Sequence, residues 1–216
     1  CTLSDKNYLK FGKALIDSLI SHSTEDFVLY YLCLDEETFE SLNDYNSKVV
    51  PVRLSDVENS NQDLVNFKNR KPYNQFCWSL ASCFSYYLLK EKQLDDILYI
   101  DSDIYFYQDP KLIFDEVGEI CGGPFNELCV IDKTIAHGAP WNFRLYVYDY
   151  YNQDGTVVWG DRKQPLVFNH FSRVGFDSET GVINPTNDNY ADHTLNFQVF
   201  NIPEVRNFYI DYANKL

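Results

Sequence analysis

The chain has 216 residues, 45% of them hydrophobic and 17% aromatic, and sets 32 Asp and Glu against 18 Lys and Arg, a formal net charge of −14. That length and composition suit one large domain with a real core and exclude a low-complexity or disordered chain. Such acidity repels a polyanion, which excludes nucleic acid as a partner, and no apolar run in the sequence reads as a membrane-spanning or signal segment.

In chain order, Cys1-Thr2-Leu3 reads as the end of a first strand and Ser4-Asp5-Lys6-Asn7-Tyr8 as a polar loop. Leu9, Ala14, Leu15, Ile16, Leu19 and Ile20 then recur at helical spacing as far as Ser21. Phe27 to Leu34 is a near-continuous apolar run, as in a central strand covered on both faces. Asp35 caps a short helix over Glu36 to Leu42. Lys48 to Leu54 is a third strand, which Pro51 assigns to an edge or an end. Asn59 to Asn74 is polar and reads as a loop, and Phe76 to Leu89 as a helix apolar on most faces and therefore buried. Ile97 to Ile100 is a short run of strand formers, read as a buried strand. The order to this point is β-α-β-α-β-α-β, the pattern of a doubly wound α/β sheet with helices on both faces.

Beyond it, Tyr105 to Tyr107 start another strand, and Asp109-Pro110 opens a helix over Lys111 to Val117. The stretch 118–136 has no assignable pattern. Trp141 to Tyr151 is strand-like in part, Asp154-Gly155 is a turn signal, and Asp161-Arg162-Lys163 reads as a solvated turn. Leu166 to Phe168 is a strand ending in Asn169-His170-Phe171, followed by turn-rich sequence and a C-terminal helix over Val205 to Leu216. Cys1, Cys33, Cys77, Cys83, Cys121 and Cys129 form no CxxC and are expected as buried free thiols, which fits a cytoplasmic protein with peripheral membrane attachment left open. His22 and His193 read as surface residues.

The organising stretch is Asp101-Ser102-Asp103 at the end of the fourth strand. Ligands of such sheets bind at the carboxyl ends of strands. The strand period of two would put both carboxylates on one side, where hard oxygen ligands suit Mg²⁺ or Mn²⁺ against a phosphate. An Asp-Ser-Asp turn is also an ordinary strand terminus, but here a β-type run resumes at once in Tyr105-Phe106-Tyr107. The Ser4 to Tyr8 loop lies at the same edge. Asp5 and Asn7 can hydrogen-bond a nucleobase edge and Tyr8 can stack on it, or Asp5 or Asn7 can simply cap the helix. His170 is either a core histidine or a third metal ligand, and Arg173 either a surface cation or a phosphate contact. Trp141 and Asn142 either shape a sugar pocket, indole on pyranose face and amide on hydroxyls, or belong to a structural loop.

Together these motifs resemble the GT-A glycosyltransferases, most closely those of family 8. The pattern D-x-N-Y after a first strand is found as Asp5-Lys6-Asn7-Tyr8, the strand-borne DxD as Asp101-Ser102-Asp103, and the late histidine after a strand as His170. The resemblance covers residues 1–117 well and 137–175 in patches. It implies a single GT-A domain over residues 1–216, with a nucleotide-binding half (1–107) and an acceptor- and metal-completing half (108–216). It implies a metal-dependent, retaining transfer of a hexose from a UDP-sugar to a sugar or glycan acceptor. Asp5 and Asn7 would bind uracil under Tyr8. Asp101, Ser102 and Arg173 would lie along the ribose and diphosphate. Asp101, Asp103 and His170 would hold Mn²⁺ or Mg²⁺.

The sequence departs from that family twice. The Asp-Gln pair expected between the DxD and the late histidine is missing between Asp103 and His170, and the helix before the DxD strand has no arginine, Arg70 being the nearest. There is also no methionine, not even at position 1, so residues of the natural chain are expected to be missing, both before Cys1 and between Val117 and His137. Two rival readings follow: a non-catalytic sugar-nucleotide or carbohydrate-binding protein, and a phosphatase with a strand-end D-x-D nucleophile. The phosphatase needs a small β-branched residue where this chain has Tyr105.

Overall fold

The structure is a computed structural model that describes residues 1–95, 97–115, 136–138, 156–159, 162–171, 174–176, 183–185 and 209–216. It comprises two compact units, Cys1–Ile16 with Phe27–Ser102, and Asp17–Asp26 with Asp103–Leu216.

In the first unit, β1 (Thr2–Ser4), β2 (Leu29–Cys33) and β3 (Val49–Arg53) run parallel in the order β1-β2-β3. β2 pairs on both sides, Tyr31 opposite Thr2 and Pro51. Leu29, Tyr31, Leu32 and Cys33 are all buried, which explains its unbroken apolar run. Pro51 lies in β3, at the end of this order, where a missing amide donor is tolerated. The segment 97–100 is half-buried, where a fully buried strand was expected. It still joins the sheet: the Cys1 nitrogen donates to the Leu98 carbonyl, and the Ile100 amide donates to the Cys1 carbonyl at 2.9 Å. One residue bonded to both neighbours of its opposite number is the parallel ladder pattern. The strand order is therefore 97–100, β1, β2, β3. The chain departs to both sides of β1, and this reversal is where open α/β sheets bind ligands.

Helices cover both faces. Gly12 of α1 (Leu9–His22) lies against Tyr31. The next residue, Leu32, points the opposite way into a core with Val52, Val57, Leu64, Phe76, Leu80, Phe84 and Leu88. Those side chains come from β3, α3 (Leu54–Ser60), α4 (Gln62–Lys68) and α5 (Tyr73–Glu91). Residues 59–74, expected as a loop, thus include the end of α3, all of α4 and the start of α5. Val57 and Leu64 are buried among polar neighbours, and Asn61 ends α3 and caps α4 by accepting from the Leu64 amide at 3.1 Å. α5 is longer than expected and buries one face, not most of its surface. Phe76, Leu80, Phe84 and Leu88 are inside, while Trp78 and Tyr86 are each 64% exposed. α2 (Glu36–Leu42) begins as expected on Asp35, which accepts from the Thr38 amide at 2.8 Å. Cys1 and Cys33 are buried free thiols; Cys77 and Cys83 are free and half-buried.

In the second unit, β7 (Arg162–His170) is the shared strand. It pairs antiparallel with β4 (Ile104–Phe106), parallel with β5 (Ala136–Gly138) and antiparallel with β6 (Thr156–Trp159). Arg162 and Lys163, read as a turn, are strand residues opposite Trp159 and Val158, and His137 and Gly138 lie in β5. The turn-rich stretch contains a further pair, β8 (Val174–Phe176) with β9 (Ile183–Pro185). Residues 111–115 and 209–213 are helical. His22 is half-buried and edge-on to Tyr105, with ring centroids 6.4 Å apart, and so is no surface residue. Trp141 to Tyr151, Asp154-Gly155, Cys121, Cys129 and His193 lie outside the described residues. No helix among the described residues is long and apolar enough to cross a membrane. The architecture is the expected α/β class, a doubly wound parallel sheet joined in sequence to a mixed one.

Candidate functional site

β1 ends at Ser4 and delivers the chain to the ligand edge. Asp5 then folds onto its own loop, accepting from the Asn7 amide at 3.0 Å, the Asn7 side-chain amide at 3.2 Å and the Tyr8 amide at 3.3 Å. The carboxylate therefore closes the turn that leads into α1. The Lys6 amide donates to Asp35 at 2.9 Å, which ties this loop to the β2–α2 turn. Burial works to raise the Asp35 carboxyl, but the amides of Lys6 and Thr38 outweigh it and hold the group below its ordinary value. Tyr8 is 44% exposed, its ring 5.5 Å from that of Phe11. A broad aromatic face beside carboxylate and amide groups matches what a nucleobase requires.

α5 runs back along the sheet, so its first turn lies at this edge as well. Tyr73 and Cys77 stand there, and burial, with the charge of Asp5 among the lesser causes, pushes both their ionisations above ordinary values. Sequence reasoning passed over this pair. The signal was available in the chain order, since a helix that feeds the DxD strand must start where that strand ends.

Asp101 is solvent-accessible and accepts from the Tyr99 hydroxyl at 3.0 Å. Ser102 and Asp103 are buried in a turn, so the two carboxylates converge through the turn and not through strand alternation. A buried carboxylate needs a partner. Asp103 has one in His170, whose Nε2 lies 2.9 Å from its Oδ1. The backbone fixes that meeting: Ile104 pairs with His170 across β4 and β7, and the Phe171 amide donates to the Asp103 carbonyl at 2.8 Å. One ligand atom each from Asp101, Asp103 and His170 lies within 4.8 Å of the others. Two carboxylates and an imidazole are a donor set that fits Mn²⁺ or Mg²⁺. Arg173, Trp141 and Asn142 lie outside the described residues.

The sequence profile of Glycosyl transferase family 8 matches residues 1–115, more than half of the chain. The chain belongs to glycosyl transferase family 8. The match ends just past the Asp101-Ser102-Asp103 turn, so it covers the nucleotide-side loop and the paired carboxylates. This family 8 chain is 31% identical over 119 residues to the uncharacterised protein YfnF of Bacillus subtilis strain 168, covering 53% of the chain and 38% of YfnF. It is 31% identical over 104 residues to YfnD of the same strain, covering 47% of the chain and 32% of YfnD. The chain thus spans about a third of the length of these curated relatives. Among solved structures, it is similar to the bifunctional glycosyltransferase WbbM in its apo form, with a TM-score of 0.34 and 15% identity over 76% of this chain and 26% of that one. It is also similar to apo mouse xyloside xylosyltransferase 1, with a TM-score of 0.42 and 12% identity over 72% and 59%. The GT-A fold goes with the family.

Proposed function

We propose that this family 8 chain is a metal-dependent, retaining glycosyltransferase that moves a hexose from a UDP-sugar to a sugar or glycan acceptor. The observation that carries the reading is the convergence of one ligand atom each from Asp101, Asp103 and His170. Asp5 retains acceptor capacity after its loop contacts and accepts a hydrogen bond from the uracil imide N–H. The Asn7 amide reads the adjacent carbonyl, and the exposed Tyr8 ring supplies the stacking face. Asp101 and Ser102 face ribose and diphosphate, with Arg173 as a further diphosphate contact. Asp103 and His170 exchange their mutual contact for a shared ion. When bound, that ion neutralises charge building on the departing diphosphate. Retention requires the acceptor hydroxyl to approach on the face the leaving group vacates, and Trp141 and Asn142 are proposed to hold the sugar there.

Calorimetry of UDP binding with and without Mn²⁺ tests the site, and release of UDP from UDP-hexoses tests the reaction. Binding should require the metal in the native chain and be lost in Asp103→Ala. Unchanged binding in that variant would refute the assignment. Metal-dependent UDP binding with no turnover of any donor would instead make the chain a sugar-nucleotide-binding protein.

A further inference from the structure

Both segments that carry buried ligands meet the end of the chain. Tyr212 stacks on Phe171, with ring centroids 3.6 Å apart and planes within 8°, and meets Tyr105 edge-on at 5.8 Å. Tyr209, one helical turn earlier, meets Phe171 edge-on at 5.0 Å, and Asn169 lies close enough to its hydroxyl to oppose the effect of burial on it. Lys215 places its ammonium 5.1 Å from the centroid of the Tyr105 ring. Tyr105, Asn169 and Phe171, the residues these side chains engage, alternate with Ile104 and His170, as strand geometry requires. Tyr209, Tyr212, Phe171 and Asn169 are all essentially inaccessible to solvent. Tyr212 also lies near enough to Asp103 for that charge to add to the effect of burial on its phenol.

We propose that Tyr212, on the helix 209–213, is a positioning residue that clamps the Asp103 turn to the end of β7 and so holds Asp103 and His170 ready for a divalent ion. Backbone bonds between β4 and β7 bring Asp103 and His170 together, and the aromatic contacts of Tyr212 brace the same two segments from the side. A flat ring wedged against Phe171 and Tyr105 sets the spacing of the two segments. Loss of such supporting contacts typically weakens a metal site about 10–100-fold. The inference rests on the reading of Asp103 and His170 as metal ligands.

The test is Mn²⁺ titration of the whole chain, followed by electron paramagnetic resonance well below the thermal midpoint of each variant. Tyr212→Phe keeps the ring and should bind within about twofold of the native chain, whereas Tyr212→Ala should bind about tenfold more weakly or worse. If Tyr212→Ala does not fold, Tyr212→Leu, which fills volume without a flat ring, should show the same loss. A lowered thermal midpoint with native Mn²⁺ affinity in the folded variant would overturn the clamp and leave the helix merely structural. Equal Mn²⁺ affinity in the native chain and Asp103→Ala would overturn the metal assignment itself, a separate failure.

Discussion

A methyl group at Gly12 would sit 1.9 Å from the hydroxyl oxygen of Tyr31 and 2.8 Å from Cζ. Tyr31 cannot yield easily, since it is fully buried and its hydroxyl is 2.6 Å from Ser4 Oγ. Overpacking of this kind costs about 1–3 kcal/mol. It acts against the roughly 1 kcal/mol that alanine gains over glycine in a helix. Because a contact of 1.9 Å lies at the severe end, Gly12→Ala should lower stability by about 1 kcal/mol net. This would be read as a lower urea midpoint at unchanged slope. Tyr31→Phe in that background should recover only part, since Cζ stays too close. Asp35 gives the pH dependence. Its folded value lies below the ordinary 3.8, so its contribution is present above that value and is lost as pH falls through the lower, folded one. Asp35→Ala should cost about 1 kcal/mol at neutral pH through the lost α2 cap. As pH falls from about 4 through the lower folded value, the difference from the native chain should shrink. Burial pushes the Cys33 thiol up to about 12, so native Cys33 should resist iodoacetamide at pH 8 and react once unfolded.

α5 separates what a pattern reveals from what it hides. Its sequence is apolar on most faces, yet Phe76, Leu80, Phe84 and Leu88 recur every four residues on one stripe, and that stripe alone is buried. Phe84→Ala should therefore cost about 3–5 kcal/mol. Trp78→Ala, at a 64% exposed position, should stay within about 0.5 kcal/mol of the native chain, checked by the same urea titration. The parallel elements of the first unit were legible because β2 is buried on both faces and Asp35 caps α2 by a local bond. α3 and α4 were not, because Val57 and Leu64 are isolated apolar residues whose burial is decided by distant Leu32 and Val52. β5 and β6 were equally hidden, since their pairing with β7 is long-range and Gly138 reads locally as a turn. Asp5-Asn7-Tyr8 and Asp101-Ser102-Asp103 could be read as short local motifs. Tyr73, Cys77 and Tyr212 could not, because only the return of a helix to the sheet edge, or of the C-terminal helix to β4 and β7, gives them a place.

At the scale of the whole molecule, charge dominates. With 32 acidic against 18 basic side chains, the folded chain repels itself more than the expanded one does. The described ion pairs, such as Lys6–Glu37 and Arg53–Glu36, are exposed and individually weak, so they offset little of this. Raising NaCl shortens the Debye length from about 10 Å at 0.1 M and should raise the thermal midpoint, the reverse of what salt does to a protein held together by surface pairs. A divalent salt would do the same without any specific site, so the two effects must be separated. At constant ionic strength, Mn²⁺ at ten times its Kd adds about 1.4 kcal/mol to a native state that binds one ion. For a chain of this size that is about 3–6 °C. The native chain should show this increment over matched NaCl. Asp103→Ala should show the NaCl response alone, because Asp101 and His170 no longer share a third ligand. Equal increments in both proteins would mean that Mn²⁺ acts only by screening the acidic surface, and the Asp101, Asp103 and His170 group would then lose its assignment as a metal centre.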